Sequence, residues 1–299
     1  MFTIYEGDLK IGITGGTGFI GKQIISELLA KEMDVISMQR SSQKMFMTYQ
    51  NLDGIEIRNF DLSDISEKTK KIFSDIDIVI HTAALVHNRS ANRNNHQKLN
   101  FNATNNLVEI CKSVGVKYFI YLSTVGVYGI NSSTEKISLE NKVSPVSEYA
   151  KSKLDVEEVL LKDDISMQVT VLRLPFVYGN NAKGNFRLME KIANTSIPLP
   201  FLNVKNKRSG VSVENVAKII GIMITNKNSY LGLHLLAEKK SFSTQEIVES
   251  IKIKKGKRLL LFPFPKLIMK FFMQILGQNK VYQQLFEDLE FKSSIDIPQ

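Results

Sequence analysis

The chain has 299 residues, of which 43% are hydrophobic and 23% are charged. This balance excludes a disordered chain and predicts a folded protein with a sizeable core. The net charge of +9 does not indicate nucleic-acid binding, because the lysines are scattered and do not form one basic surface interleaved with aromatic side chains. We therefore expect anionic small molecules as ligands and no nucleic acid.

Cysteine content and hydropathy predict where the protein works. The single cysteine, Cys111, lies between apolar neighbours in a helical pattern, so we expect it to be buried and no disulfide to form within the chain. Nothing in the pattern suggests a metal site. No signal-peptide pattern opens the sequence, and no apolar run approaches the roughly 18 residues that a membrane span needs. These features predict a cytoplasmic protein in a reducing compartment.

Predicted strands rich in valine and isoleucine alternate with helical patterns along the first part of the chain. They cover residues 9–14, 34–39, 55–62, 77–84, 118–124 and 169–174. This alternation predicts an α/β fold with a doubly wound parallel sheet. Residues 131–147 are predicted to form a loop. Beyond residue 176 the elements become shorter, with predicted strands at 208–213, 233–237 and 258–262.

A glycine-rich loop follows the first predicted strand directly. Gly15, Gly18 and Gly21 stand between that strand and a helix whose apolar residues recur at helical spacing. Glycine permits a tight turn and a close approach of the backbone to a pyrophosphate, and the helix N-terminus supplies amide donors. The segment predicts a dinucleotide site.

Tyr149 and Lys153 lie four residues apart in a second predicted helix. One helical turn puts both side chains on the same face, where the ammonium favours the phenolate and makes the tyrosine an acid or base near neutral pH. Such a pair also occurs by chance on exposed helices, so it is evidence for catalysis only because the glycine loop lies upstream. Together the two features predict hydride-transfer chemistry.

With these motifs in place, the chain resembles the extended short-chain dehydrogenase/reductase family, the NAD-dependent epimerases and dehydratases. The shared motifs run through nearly the whole chain: the glycine loop, Asp61-Leu62, His81-Thr82-Ala83-Ala84, Asn100, Leu122-Ser123-Thr124, Val127-Tyr128-Gly129, Tyr149 with Lys153, and Arg173 with Val177-Tyr178-Gly179. The resemblance implies a Rossmann domain over residues 1–175 that carries the catalytic residues. It also implies a small C-terminal α/β substrate domain over residues 176–299, interleaved with the end of the sheet.

The resemblance also implies catalytic roles. Tyr149 would be the general acid/base on a sugar oxygen, and Lys153 would hold the nicotinamide ribose and lower the pKa of the tyrosine. Thr124, four residues before Tyr128, would hydrogen-bond the same oxygen. We favour Thr124 over Ser123 for this role.

Cofactor binding is implied for the glycine loop and for segments after later strands. The candidates are Gly15, Thr17, Gly18, Phe19, Ile20, Gly21, Arg40, Asp61, Leu62, Ala83, Ala84, Asn100, Tyr149, Lys153 and Pro175. The second strand lacks the usual acidic residue at its end, where Gln39 stands, and Arg40 follows. A cation there suits a 2′-phosphate, so NADP(H) is predicted, with NAD(H) as the alternative. Asp61 would contact the adenine, or it caps the next helix.

Substrate binding is implied for residues of both halves of the chain. The candidates are Thr124, Tyr149, Phe176, Asn185, Phe186 and Arg208. Asn185 and Phe186 resemble the segment that holds uracil and diphosphate in UDP-sugar enzymes, and Arg208 resembles the arginine that clamps the diphosphate. Phe176 departs from the family, which often has asparagine there.

The resemblance is closest to a subgroup of bacterial UDP-sugar 4-epimerases and UDP-4-keto-6-deoxy-N-acetylhexosamine 4-reductases. We predict the reductase, acting in the synthesis of surface polysaccharide precursors; the alternatives are a UDP-glucose or UDP-N-acetylglucosamine 4-epimerase with retained NAD, and a non-catalytic scaffold. Dehydration is disfavoured, because Val125 and Gly126 stand where dehydratases have an Asp-Glu pair. The resemblance implies a homodimer formed by the helices at 95–113 and 147–161.

Two further segments are open to more than one interpretation. The basic run from Lys252 to Arg258 is predicted to be a solvated helix end. The apolar stretch from Pro263 to Leu276 could lie on a membrane surface, but its spacing also suits a helix packed on its own domain, which we favour.

Overall fold

The computed structural model describes residues 9–40, 55–83, 93–162, 166–179, 193, 195, 197–226, 229–254, 256 and 258–298, without the side chains of 93–99 and 254. Contacts divide the chain into two units. The first comprises Met1–Gly129, Val143–Leu174 and Val213–His234, and the second comprises Ile130–Lys142, Pro175–Ser212 and Leu235–Gln299. Residues 130–142 thus group with the second unit, and residues 213–234 group with the first.

The first unit is built on a parallel sheet, as the alternation of the sequence predicts. Its strands are β1 (Lys10–Thr14), β2 (Asp34–Gln39), β3 (Ile55–Asn59), β4 (Ile78–His81), β5 (Tyr118–Thr124) and β6 (Gln168–Leu174). A later strand, β10 (Gly232–Leu235), completes the order β10-β6-β5-β4-β1-β2-β3. The order reverses between β1 and β4, and such reversal points are where open α/β sheets bind ligands, at the carboxyl ends of the strands.

Among the residues that the structure describes, five helices belong to this unit. They are α1 (Phe19–Leu29), α2 (Glu67–Phe73), α3 (Arg93–Ser113), α4 (Glu148–Leu160) and α5 (Val213–Thr225). Helix α1 packs against α5, and α4 packs against α3. Cys111 on α3 is fully buried, as predicted.

Most predicted strands agree with the structure to within a residue or two. Strand β3 ends at Asn59, three residues earlier than predicted, because the chain turns at Asp61. There the carbonyl oxygen of Asp61 accepts a hydrogen bond from the amide of Asp64, at 3.0 Å. The side chain of Asp61 accepts two further bonds from Ser63.

The described part of the second unit contains short strands and three helices. Strand β7 (Phe176–Tyr178) pairs with β9 (Gly210–Ser212), and β8 (Leu199–Leu202) pairs with β11 (Leu261–Pro263). The helices are α6 (Thr244–Lys254), α7 (Lys266–Ile275) and α8 (Asn279–Phe286). Their shared core consists of Leu199, Phe201, Val204, Val248, Ile251, Tyr282, Leu285 and Phe286, with smaller contributions from neighbouring residues.

Two sequence predictions for this unit hold only in part. In the basic run, Arg258 is exposed, but Lys252 is 1% exposed and its ammonium donates to the carbonyl oxygens of Thr195 and Arg258, both at 3.2 Å. Helix α7 packs on its own unit through Met269 and Met273, but the larger apolar side chains of its stripe are exposed. Within the described residues, no helix is both long and apolar enough to cross a bilayer.

Candidate functional site

The loop after β1 has the geometry of a phosphate-binding turn. Gly15 has a φ of +74°, in the left-handed region that favours glycine. The amide of Gly18 donates to the carbonyl of Gly15 at 2.8 Å, and α1 begins at the next residue. A side chain at Gly21 would overlap that same carbonyl oxygen, so the helix approaches the loop closely. The first turn of α1 carries no acidic side chain, so no carboxylate of that turn offsets the positive end of the helix dipole. An anionic ligand is favoured at this position.

The chain after β4 lies against this loop. A Cβ built on Gly15 would be 2.7 Å from the hydroxyl of Thr82 and 2.8 Å from the amide nitrogen of Ala83. The Thr82 hydroxyl in turn donates to the carbonyl of Thr14 at 2.7 Å. The loops after β1 and β4 therefore meet at the reversal point of the sheet. Ala84 lies outside the described residues.

His81 is a buried, neutral histidine that ties the sheet together. Its Nδ1 lies 2.7 Å from the hydroxyl of Thr14, and its Nε2 lies 3.2 Å from the hydroxyl of Thr104 on α3. Burial lowers its pKa to about 3, and the charge of Lys153 acts in the same direction. His81 therefore holds β4 to β1 and α3 and does not serve as an acid or base.

The end of β2 presents a buried amide with no partner. Gln39 is 5% exposed, and in the part of the chain that the structure describes neither polar atom of its side chain has a hydrogen-bond partner. Burying a polar group without a hydrogen-bond partner costs free energy, unless a bound ligand supplies the missing hydrogen bonds. Gln39 stands where the ribose contact is expected. The residues present therefore fit a dinucleotide: a glycine cradle for the phosphates and an amide for the ribose.

Asp61, after β3, has a pKa below its usual value. Arg40 is exposed. Burial acts to raise the pKa of Asp61, but hydrogen bonds from Ser63 and the charge of Arg40 lower it overall. The interpretation of Asp61 as the cap of the next helix is wrong, because Ser66 caps α2. Leu62 belongs to the core of the first unit.

Helix α4 carries the predicted catalytic pair. Ser147 caps this helix, its hydroxyl accepting from the amide of Ala150 at 3.1 Å. Tyr149 is 50% exposed, whereas Lys153 is 6% exposed. The ammonium of Lys153 donates to the carbonyl of Leu122 at 2.7 Å and lies 5.8 Å from the centroid of the Tyr149 ring.

The pKa values of this pair differ from the sequence prediction. Burial raises the pKa of the Tyr149 phenol, so the predicted lowering by Lys153 is not found. The physical reason is burial, which disfavours the charged phenolate. Burial lowers the pKa of Lys153 to about 8, partly offset by Glu157 one turn further along the helix.

This depressed pKa predicts a pH-dependent stability. The unfolded chain keeps the ordinary lysine pKa of 10.5, so the folded protein loses this proton first as the pH rises above about 8. Below a pH of about 8 the ammonium is charged in both states, so the full cost of burying it lowers the free energy of unfolding. Between about 8 and 10.5 the folded protein has lost this proton and that cost decreases. We expect wild type to gain stability relative to Lys153→Met over this interval in urea denaturation at a series of pH values. Lys151→Met, on the exposed side of α4, is the control; an equal change in both variants would contradict the prediction.

The choice between the hydroxyls at the end of β5 rests on their partners. Ser123 is 5% exposed and donates to the carboxylate of Glu157 inside the protein. Thr124 is partly exposed, and its hydroxyl oxygen accepts from the amide of Gly126 at 3.1 Å. That bond leaves the hydroxyl hydrogen of Thr124 available to a substrate oxygen. The arrangement thus favours Thr124 over Ser123.

A buried ion pair joins β6 to α4, the helix that carries Tyr149. Arg173 on β6 and Glu157 on α4 are 4% and 1% exposed. Nη2 of Arg173 lies 2.6 Å from the carboxylate, and Nε lies 3.0 Å from the same oxygen. Nη1 donates to the hydroxyl of Tyr128 at 3.0 Å. With the bond from Ser123, the network joins the ends of β5 and β6 to the helix that carries Tyr149.

Sequence reasoning did not include Glu157 among the site residues. Two signals could have identified it: a carboxylate four residues after Lys153, and Arg173 within an otherwise apolar strand. Each alone is common, because charged residues often occupy exposed helix faces. Only their contact inside the protein identifies the pair.

The predicted substrate residues that the structure describes lie in both units. Phe176 packs against the core of the second unit, after the buried Pro175. Nη1 of Arg208 donates to the carbonyls of Glu287 at 3.2 Å and of Asn131 at 3.4 Å, and burial lowers its pKa to about 10. Asn100 is half-buried on α3. The remaining candidates, Asn185 and Phe186, lie outside the described residues.

Comparisons with known proteins agree with this architecture. A model of the NAD-dependent epimerase/dehydratase family matches residues 11–232. The UDP-glucose 4-epimerase of Vibrio cholerae is 28% identical over 298 residues, which cover 95% of this chain and 88% of that protein.

Two solved structures illustrate the likeness. The UDP-Glc/GlcNAc 4-epimerase of Campylobacter jejuni aligns with a TM-score of 0.72 and 21% identity, covering 86% of this chain and 87% of that one. The UDP-glucuronic acid 4-epimerase of Bacillus cereus, solved in complex with NAD, gives 0.69 and 21%, covering 85% and 88%. At these identities the structures establish a common fold.

Proposed function

The chain belongs to the NAD-dependent epimerase/dehydratase family, the extended short-chain dehydrogenases/reductases, and we propose that it oxidises and reduces C4 of a UDP-activated hexose. The observation that carries the proposal is the set formed by Tyr149 and Lys153 on α4 and Thr124 at the end of β5. All three belong to the same unit as the glycine loop. Among the outcomes of such chemistry, we favour 4-epimerisation, which is the named activity of the Vibrio cholerae relative.

Each of the three side chains has a separate task in this proposal. A bound nicotinamide supplies the acceptor and donor of hydride. Tyr149 exchanges a proton with the oxygen on C4, since its hydroxyl belongs to a half-exposed side chain. Thr124 donates a hydrogen bond to that oxygen and orients it. Lys153, buried and held by the carbonyl of Leu122, carries the positive charge that faces the phenol.

For the nucleotide we propose NAD(H), held by Gly15, Gly18, Gly21 and Gln39. The prediction of NADP(H) rests only on Arg40 and on the lack of an acidic residue at the end of β2. One observation weakens that prediction: the buried amide of Gln39 suits neutral ribose hydroxyls.

The choice of nucleotide can be tested by removing the cation. If NAD(H) is the cofactor, Arg40→Ala should change the dissociation constant of NADH by less than about threefold, since no charge pair is lost. Gln39→Leu should weaken NADH binding by about tenfold, because the amide can donate and accept one hydrogen bond each. Isothermal titration calorimetry with NADH measures both dissociation constants. Tighter binding of NADPH than NADH, abolished by Arg40→Ala, would restore the NADP(H) prediction.

The proposed activity requires an assay that separates epimerase from reductase. The purified protein is denatured, and the released nucleotide is identified by mass spectrometry. The native protein is then given UDP-glucose and UDP-N-acetylglucosamine, and the C4 epimers are separated by chromatography. We expect retained NAD and formation of the C4 epimer without net consumption of NADH or NADPH. Release of no nucleotide together with no epimer would contradict 4-epimerisation.

A reductase is the second candidate, because no acidic residue ends β2 to favour NAD. It would act on a UDP-4-keto-6-deoxy-N-acetylhexosamine, the kind of intermediate used for surface polysaccharides. In the same assay it would lack bound nucleotide and consume NADPH stoichiometrically with this substrate. A non-catalytic scaffold would neither form the C4 epimer nor consume NADPH, and it would only bind the nucleotide.

We propose that the substrate's nucleotide half is recognised by Arg208 and Phe176 together with Asn185 and Phe186. We also propose a cytoplasmic enzyme and a homodimer formed through α3 and α4. Sedimentation velocity tests the dimer: a monomer at micromolar concentration would contradict it.

A further inference from the structure

Helix α7 presents its apolar face to solvent. Its exposed residues lie on one side: Leu267, Ile268, Phe271, Phe272 and Ile275, followed by Leu276. Exposed fractions range from 46% to 83%. These six are among fourteen exposed large hydrophobic residues in the described part of the chain, yet they fall within ten positions. We call them the α7 patch.

The opposite side of α7 holds the helix to its own unit. Met269 and Met273 pack against the core that includes Tyr282 and Phe286. The ammonium of Lys270 lies 3.3 Å from the carboxylate of Glu287 and above the ring of Tyr282. The helix is thus anchored without its larger apolar side chains, and folding of the unit does not account for the α7 patch. Contiguous exposed apolar surface of this kind marks an interaction site.

The segment that carries the α7 patch is basic, and the nearby carboxylate of Glu287 is paired with Lys270. Residues 252–286 include eight lysines and arginines and no aspartate or glutamate. Lys266, at the start of α7, and Lys280, on α8, are exposed. Lys252 and Lys270 are already engaged by protein groups. An anionic surface complements such a segment, whereas a second copy of it would bring like charges together.

We propose that the α7 patch docks this protein on the surface of an anionic lipid bilayer. The helix has ten residues and a length of about 15 Å, half the thickness of the hydrocarbon core, so it lies in the interface and does not span it. The phenylalanine and leucine side chains enter the boundary of the acyl chains, and the lysines remain at the level of the headgroups. Lipid phosphates are the anions that the lysines meet.

Vesicle flotation of the full-length protein tests this docking. Vesicles of phosphatidylcholine alone are compared with vesicles that also contain phosphatidylglycerol. We expect binding to the anionic vesicles that weakens at high salt, and weaker binding to the neutral ones. Phe271→Ser with Phe272→Ser should lower the partition coefficient at least about tenfold. The matched control, Ile130→Ser with Ile197→Ser, removes exposed apolar residues elsewhere in the same unit and should leave binding unchanged.

Charge is tested separately from apolar contact. Lys266→Gln with Lys280→Gln should reduce the preference for anionic vesicles, while Lys142→Gln with Lys162→Gln, at exposed positions elsewhere, should not. Thermal melting checks that each variant is folded, and nucleotide binding provides a second check in the other unit.

Three results would overturn the proposal. One is the absence of flotation with either vesicle. Another is flotation that the Phe271 and Phe272 substitutions do not change. A third is a dimer, seen by light scattering, that these substitutions convert to monomer, because the α7 patch would then bind a second copy.

Discussion

Replacing Tyr149 with phenylalanine is expected to lower turnover about 10³-fold and to leave nucleotide binding unchanged. The substitution removes only the hydroxyl that exchanges a proton with the substrate. The side chain is half-exposed, so the ring that remains keeps its packing and the free energy of unfolding should hardly change. Burial raises the pKa of this phenol.

The measurement is steady-state turnover with the nucleotide dissociation constant determined in parallel. Tyr230→Phe removes a hydroxyl from another partly buried tyrosine of the same unit and serves as the matched control. Full turnover of Tyr149→Phe would remove this residue from the mechanism. If biological activity also persisted, the non-catalytic scaffold would become the better description.

Arg173→Met should lower the free energy of unfolding by about 3–5 kcal/mol, the largest stability effect that we expect for a single substitution here. The change leaves the carboxylate of Glu157 buried at 1% exposure without its cation. It also takes a donor from the hydroxyl of Tyr128. Urea denaturation measures the effect, because the loss of stability moves the transition midpoint.

A double-mutant cycle separates the cost of a stranded charge from the value of the pair. Arg173→Met combined with Glu157→Leu removes both charges and should recover much of the loss, since replacing a buried ion pair by apolar side chains is often neutral. Lys70→Met is the control. It breaks the 2.8 Å ion pair with Glu67 on the exposed side of α2 and should cost less than about 0.5 kcal/mol. Equal effects of Arg173→Met and Lys70→Met would contradict the importance of burial.

The same variants test whether the pair positions the catalytic residues. Ser123, next to Thr124, donates to Glu157, which lies one turn beyond Lys153. If the pair only stabilises the fold, a folded Arg173→Met enzyme at low temperature should keep wild-type kcat. If it positions the site, kcat should fall while the nucleotide dissociation constant stays the same, and Arg173→Lys should recover part of the activity.

The sequence predicted the first unit well because the signals there are local. A strand, a glycine turn and an amphipathic helix lie within about twenty residues, and each follows from backbone preference and apolar spacing. The predicted bounds of β2 and β5 are those of the structure. The second unit was predicted less well, because its strands have three or four residues and are defined by partners distant in the chain.

What the sequence by itself determined was the family, the α/β fold and the helix that carries Tyr149 and Lys153, since these depend on periodicity and motif order. Only the tertiary structure decided which groups are buried and what they contact. In the structure Ser123 donates a hydrogen bond to Glu157, and the amide of Gln39 has no partner among the described residues. Lys252 is buried, whereas Phe271 is exposed. Helical spacing gives the direction of a side chain relative to its own helix. Whether that direction meets protein or solvent depends on elements far away in the chain.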